Sequence, residues 1–581
     1  MSRITFKRSI LASAVLLATQ TANAKIYEVI EVKSPADASQ YRSSYGVAIQ
    51  PGVAKDNLDD ELALGCFSPN AINCGDDSFT LAGESRIEKA STGKAVDGLS
   101  YRDEVAFGID NAFEYVQERN DFERYCYREL LYSTCNTWAD PHWNRWQAEI
   151  NSTQVANSIA FVDTGTSVTS VDEAQNVVIN SLTESAEPIG INVKTGDVTT
   201  YRRNTNAIQA RLPSTISAPN VADALYTRAW KTDGVYTVGS ISRSSNNNEG
   251  AYFYSKPAIW KNDGSITTTV ELNWPSTRAN TNTNNRLAQG SIRDVIESGG
   301  KLYAVGYSSF DADYNYMQAS VFQLDDTSNF SNAASWTTKA VSGAESRIGG
   351  DYIHSNSVVT DVNKNLVALG EAKRAGSRPE NGAAANRLFV INDVSATQPA
   401  ATFLTGGIFF NGAGGKAGAI NSYNEIVGQI DADETRENDG KPRRKRGFIY
   451  PYKLADNSEE TRKRMAIFAN KAWWLDDLTN DNTATSNNNQ FRVIDATDIN
   501  DAGVISATAL KCSGGYDTTA HNSLCSNREE TVVAVKLIPI TGATSSNIQA
   551  RSTEEQAADR KGGGFGLGLL MVLGLLGFRR K

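Results

Sequence analysis

The sequence predicts an all-β fold, a β-propeller of about seven blades carrying a small disulfide-braced, partly helical insertion. Three observations predict it. A strand, turn, strand pattern recurs roughly every 60 residues through the second half of the chain, and helical periodicity is nearly absent there. Six cysteines fall into three close pairs, two of them inside a stretch that lacks the pattern.

From the N-terminus, Arg3, Lys7 and Arg8 precede an apolar segment, 10–18, followed by Ala22, Asn23 and Ala24. That is the charge, apolar core and small-x-small order that signal peptidase reads, so cleavage after Ala24 is expected to leave Lys25 first. The apolar run falls short of the roughly 20 residues that span a bilayer, which argues against an anchor. Residues 25–57 hold an alternating strand at 27–32 (YEVIEV) and the start of a first degenerate blade. The strand is expected to pair with 530–538 and close the ring, which removes two exposed sheet edges.

Residues 58–150 read as a Cys/Trp-rich insertion, a small subdomain or a cap over one face of the ring. Local spacing pairs Cys66 with Cys74 and Cys126 with Cys135, and later Cys512 with Cys525, as expected in an oxidising compartment. Within 111–131, Phe113, Val116, Phe122, Tyr125 and Leu130 form an imperfect helical stripe. Trp138, His142, Trp143 and Trp146 are the densest aromatic cluster. Exposed rings of this kind stack on sugars or anchor partners, and rings beside a disulfide also build miniature cores.

Residues 151–543 hold the repeats. Strands at 47–49 and 159–162, each with later strands such as 176–179 and 189–193, supply two degenerate blades, and five clearer units follow at 229–240, 294–308, 360–372, 419–430 and 497–508. Each has a turn of Asn, Asp, Ser or Gly, residue types that tolerate the positive φ a tight hairpin needs. A further strand recurs after each hairpin, as at 258–260 (AIW) and 447–450 (GFIY). The run Arg443, Arg444, Lys445 and Arg446 reads as a solvated loop. Asp431, Asp433 and Glu434, and Asp476, Asp477, Asn480 and Asp481, carry oxygen ligands of the kind calcium takes, without EF-hand spacing. Trp473 and Trp474 read as core. Residues 544–561 read as a polar stalk, and 562–581 run from Gly562, Gly563 and Gly564 through a short apolar stretch to Arg579, Arg580 and Lys581.

The units with Ala419, Ile420, Asn421, Ile426, Val427 and Gly428, and with Ile499, Asn500, Gly503 and Val504, resemble the HAF-repeat proteins, and 299–306 is locally kelch-like. The C-terminal arrangement resembles the GlyGly-CTERM sorting signal of Gram-negative exported proteins. That resemblance implies cutting near the glycines by a rhombosortase-type intramembrane protease, with membrane association through this segment. As a whole the chain resembles exported proteins of domain of unknown function 3466, which brings no established activity.

Losing the six basic residues of the two terminal segments takes the formal charge from −9 to −15. Such a chain has no general attraction to nucleic acid. The sequence holds no HExxH, GxSxG or GxxxxGK[ST], and no catalytic residue or cofactor is assigned beyond the calcium option. The expected function is therefore a non-catalytic propeller, periplasmic or at the cell surface, binding an envelope protein or a glycan. The alternative is a polysaccharide hydrolase or lyase whose carboxylates converge on the axis from distant blades.

Overall fold

The computed structural model describes residues 25–553 apart from 87–117, 128–133, 141–142, 145–157, 164–174, 195–207, 225, 248–249, 263–267, 276–281, 284–285, 311–316, 346, 349–350, 353–356, 374–385, 435–442 and 526–528. Both terminal segments expected to act as signals, His142 and Trp146 therefore lie outside the described residues.

Seven antiparallel sheets form a seven-bladed propeller. Blade 1 comprises Ser43–Ile49, Leu81–Arg86 and Ser158–Val162, and blade 2 comprises Gln175–Leu182, Pro188–Lys194 and Ile208–Arg211. Blades 3 to 6 begin at Tyr226–Thr232, Gly290–Ser298, Ser357–Val362 and Gly415–Ile420, and each has four strands. Blade 7 is Phe491–Ile499, Ile505–Cys512 and Glu530–Pro539, completed by the N-terminal strand Tyr27–Val32 in antiparallel register from Tyr27 opposite Pro539 to Val32 opposite Ala534. The expected ring closure is present. The first strand of every blade touches the first strands of its two neighbours, so these seven line the axis.

The strands 47–49 and 159–162 belong to one blade rather than two, and the seventh blade count is reached with 175–211 as the second. Leu81–Arg86, inside the 58–150 stretch, is the second strand of blade 1. The stretch is thereby divided between the two faces of the ring. Residues 50–80, braced by Cys66–Cys74, leave the end where strand 1 turns into strand 2, whereas 87–157, with Cys126–Cys135, leave the opposite end. A helix, Arg119–Tyr125, occupies part of the stretch where the apolar stripe predicts one.

Hydrophobic burial lies between blades, as it must when each sheet has two faces and no second layer. Val238, Ile259 and Ile292 pack between blades 3 and 4, Val321, Val359 and Phe389 between 4 and 5, and Leu369, Ile426 and Phe448 between 5 and 6. Val47, Ala160 and Ile179 do the same between blades 1 and 2. No helix among the described residues is long and apolar enough to cross a membrane.

The two faces differ. Strand 1 to strand 2 connections are tight turns, except for 50–80, and that segment folds back over blades 6 and 7. There Phe67 stacks edge-on against Tyr27 and Phe468 at 5.5 and 5.8 Å. Beside it the helix Glu459–Ile467, capped by Ser458, drives fully buried Arg464 into a bidentate pair with fully buried Glu425. The other face collects the strand 2 to strand 3 connections, all long except that of blade 3, and the blade-to-blade connections of the four-stranded blades, whereas the three-stranded blades 1 and 2 release the chain on the first face.

Candidate functional site

The axis is the place where side chains from most blades converge. Each innermost strand carries a β-bulge at the same point, between Gly46 and Ala48, Ile179 and Ser181, Ala229 and Lys231, Ile292 and Asp294, Val359 and Asp361, Ala417 and Ile420, and Ala496 and Asp498. A bulge bends the strand and re-aims the following side chain. In blades 3, 4, 5 and 7 the residue after it is Lys231, Asp294, Asp361 or Asp498.

Lys231 Nζ bonds Asp294 Oδ2 at 2.9 Å and Asp361 Oδ1 at 2.5 Å, so one ammonium joins blades 3, 4 and 5. It keeps 34% of its side chain exposed. The carboxylates also reach forward to backbone N–H groups of the next blade around the ring. Asp294 Oδ2 accepts from Val362 N at 3.1 Å, Asp361 Oδ2 from Ile420 N at 2.7 Å, and Asp498 Oδ2 from Ile49 N at 2.9 Å. With Val295 N on Asp294 Oδ1 and Ile499 N on Asp498 Oδ1, every oxygen of the three carboxylates is hydrogen-bonded.

A second ring runs beside the first. Asn363 Nδ2 donates to Asn421 O at 2.8 Å, Asn421 Nδ2 to Asn500 O at 3.1 Å, and Asn500 Nδ2 to Gln50 O at 3.0 Å. Gln50 Nε2 then donates to Glu184 O of blade 2, and Asn180 Nδ2 and Ser181 Oγ donate to Ala229 O and Trp230 O of blade 3. Each blade is thereby tied to the next by a side chain, all the way round.

Burial disfavours charge on Lys231, Asp294 and Asp498. It raises the Asp294 carboxyl well above the usual carboxylate range, with Asp361 adding to the rise and Lys231 opposing it. Burial pushes Asp498 up to about 6, partly offset by Lys231 and the Ile49 N–H. For Lys231 burial acts against the charge, but the three carboxylates outweigh it and hold the ammonium well above its ordinary pKa. The arrangement can carry a proton on an acid near neutral pH, and it holds the blades in register.

A second cluster lies where blade 6 meets blade 7. Arg446 Nε pairs with buried Asp476 at 3.1 Å, Arg551 N donates to Asp477 Oδ1 at 2.7 Å, and His521 Nε2 lies 3.0 Å from the same Asp477 oxygen. Burial works against the Asp476 charge, but Arg446, Arg492 and Arg551 outweigh it and lower its pKa. Burial, then Arg551, brings Arg492 down to about 10.

The basic run is therefore not a solvated loop. Arg443 and Arg446 are 6% and 3% exposed, and Arg443 and Lys445 both pair with Asp431. Lys445–Pro451 is an inner strand of blade 6 with neighbouring blades on both faces, so Arg446 is enclosed while Arg444 stays exposed, and carboxylates compensate the burial of Arg443 and Arg446. Asp431 and Asp476, considered above for calcium, face these basic groups. Among the described residues no set of three or more His, Cys, Asp or Glu is placed to hold a metal ion.

Of the aromatic cluster, Trp138 is buried against Phe122, with ring centroids 6.3 Å apart, and Trp143 is half-buried. Trp473 and Trp474 form the half-buried outer strand of blade 6. All three expected disulfides are present. The polar stretch after 543 begins as part of the body, because Arg551 is 6% exposed and its guanidinium bonds Asp476 O, Asn489 Oδ1 and Thr519 O. Sequence reasoning assigned no role to Lys231, Asp294, Asp361 or Asp498. The available signal was an acid recurring directly before Val or Ile at the same repeat position, in Asp294-Val295, Asp361-Val362 and Asp498-Ile499.

A family model described as a protein of unknown function, DUF3466, matches residues 235–581. No curated protein matches the chain. Among solved structures, the chain is similar to a GH32 β-fructofuranosidase of Bombyx mori at 10% identity and TM-score 0.20, over 45% of this chain and 54% of that one. Similar too are an α-L-arabinanase of Cellvibrio cellulosa complexed with arabinohexaose (11%, TM-score 0.24, 50% and 92% covered) and the NanB sialidase of Streptococcus pneumoniae (8%, TM-score 0.23, 90% and 61% covered). The chain thus spans about half the length of the first of these. At such scores the likeness carries no argument about activity.

Proposed function

The chain belongs to the DUF3466 family of proteins of unknown function, and we propose that it is a non-catalytic binding or scaffold propeller acting outside the cytoplasm. The observation that carries this reading is the structural use of the axial acids. Each of their oxygens accepts from Lys231 or a backbone N–H, and Asp294, Asp361 and Asp498 each reach the backbone of the next blade, so ring closure accounts for them without a substrate. Ligand contacts are assigned to the long-loop face, since 50–80 and the helix Glu459–Ile467 cover part of the other. The ligand is an envelope protein or a glycan, and Trp143 beside the outer insertion is the first aromatic to test.

Export rests on the terminal signals, with signal peptidase and a rhombosortase-type protease as processing partners and the C-terminal segment as the membrane contact. Three disulfides and no free cysteine among the described residues are in keeping with an oxidising compartment. A glycan array and a pull-down from envelope extracts test the reading. Capture by the whole protein is expected in one of them, and empty results in both would overturn it.

One observation favours a second reading. An axial acid with its pKa pushed to about 6, around a lysine that a second raised acid shares, is what a polysaccharide hydrolase or lyase uses as general acid. Reducing ends or unsaturated products released by the wild type and lost in Asp294→Asn would establish it.

A further inference from the structure

The loop closed by Cys512–Cys525 is built as a clamp on the C-terminal segment. Its main chain turns successive carbonyls toward buried arginines. Arg492 takes Thr518 O and Ala520 O at 3.3 and 3.1 Å, Arg446 takes His521 O at 2.8 Å, and Arg551 takes Thr519 O at 2.8 Å. The loop also bonds the segment directly, through His521 N to Ser552 O at 2.8 Å, and His521 meets Asp477, the acceptor for Arg551 N. Arg551 belongs to the last described stretch, from which the chain continues to Lys581.

Charge makes the loop necessary. Three arginines are buried against Asp476 and Asp477, so the acids alone do not balance them, and the loop carbonyls supply further acceptors. A buried guanidinium that loses its acceptors bears the full desolvation cost and moves to water. Closure adds to these bonds in holding the loop in place: the crosslink spans 13 residues, and Tyr516 bridges to Cys525 within it. Closing a loop of this length removes conformations from its open state, which favours the docked one.

We propose that Cys512–Cys525 is a redox-set latch that fixes the C-terminal segment to the propeller in the oxidised protein and releases it in the reduced one. A dithiol reductant breaks the Sγ–Sγ bond, donating two electrons and two protons to give two thiols and itself closing to a disulfide. The loop then opens, Arg551 loses Thr519 O, and the stretch 549–553 leaves the body. The inference is independent of what the propeller binds.

Hydrogen exchange on the full chain tests it, comparing wild type with Cys512→Ser/Cys525→Ser and, as control, Cys66→Ser/Cys74→Ser. Exchange across 549–553 is expected to rise at least tenfold in the first pair and not in the control, with the strand Glu425–Asp431 unchanged in both. Arg551→Met, with the disulfide intact, is expected to release the same stretch. Should the first pair fail to fold, dithiol reduction of the folded wild type, with the Cys512 and Cys525 thiols read by alkylation, gives the same comparison. Unchanged protection at 549–553 once the Cys512–Cys525 bond is open would overturn the latch.

Discussion

At the scale of single residues, Asn421 shows what a repeat signature is for. Its Oδ1 accepts from Tyr423 N and Glu425 N, which sets the hairpin, and its Nδ2 reaches Asn500 O in the next blade. One amide therefore shapes its own turn and ties two blades, which neither Ala nor Asp can do. Asn421→Ala leaves buried N–H and C=O groups unmatched and is expected to lower stability by roughly 2–3 kcal/mol in urea titration. Asp498 acts through its charge. Its pKa is near 6 when folded and about 3.9 when free, so the native state binds the proton more tightly. Its contribution is then fully present below about pH 4 and lost as pH rises through about 6. Asp294 shifts the same way. Asp498→Asn is expected to flatten the stability profile between about pH 4 and 7, measured by denaturant midpoints across that range.

At the scale of elements, the hairpins were legible because their chemistry is local. The position filled by Gly503, φ +86°, is taken by Asn424 at +58° and Leu366 at +63° in the equivalent turns. The strand 2 glycines have a different cause. Each faces the bulged backbone of strand 1, where a Cβ would lie 1.8 Å from Arg228 O at Gly239, 2.0 Å from Ser291 O at Gly306 and 2.4 Å from Lys416 O at Gly428. Gly428→Ala must push the bulge aside, at an expected cost of about 1–3 kcal/mol in thermal or denaturant unfolding. The closing strand was legible from its alternation and its terminal position. Blade 1 was not, because its strands are separated by 50–80 and 87–157, and pairing across such gaps leaves no periodic trace. The basic run misled for a related reason: Asp431 and Asp476, which receive it, are brought there only by folding.

At the scale of the whole molecule, the ring is a closed circuit of side-chain ties over interblade hydrophobic cores. Fold class and approximate blade number followed from repetition, but the axial cluster did not, because Lys231 and Asp498 are 267 residues apart and adjacency around a ring is not written in spacing. Closure also predicts cooperativity. Deleting 25–33 exposes the edge of Glu530–Pro539 and unties blade 7, so the shortened chain is expected to self-associate in size-exclusion chromatography and to unfold at lower temperature.

The axis as a charge-coupled structural hub is tested most directly by Lys231→Met. Lys231 is the cation that pairs with Asp294 and Asp361. The account predicts a loss of about 3 kcal/mol or more in denaturant unfolding at pH 7, shrinking at pH 5 as Asp294, whose pKa burial raises, takes up a proton. A variant as stable as wild type at both pH values would contradict it.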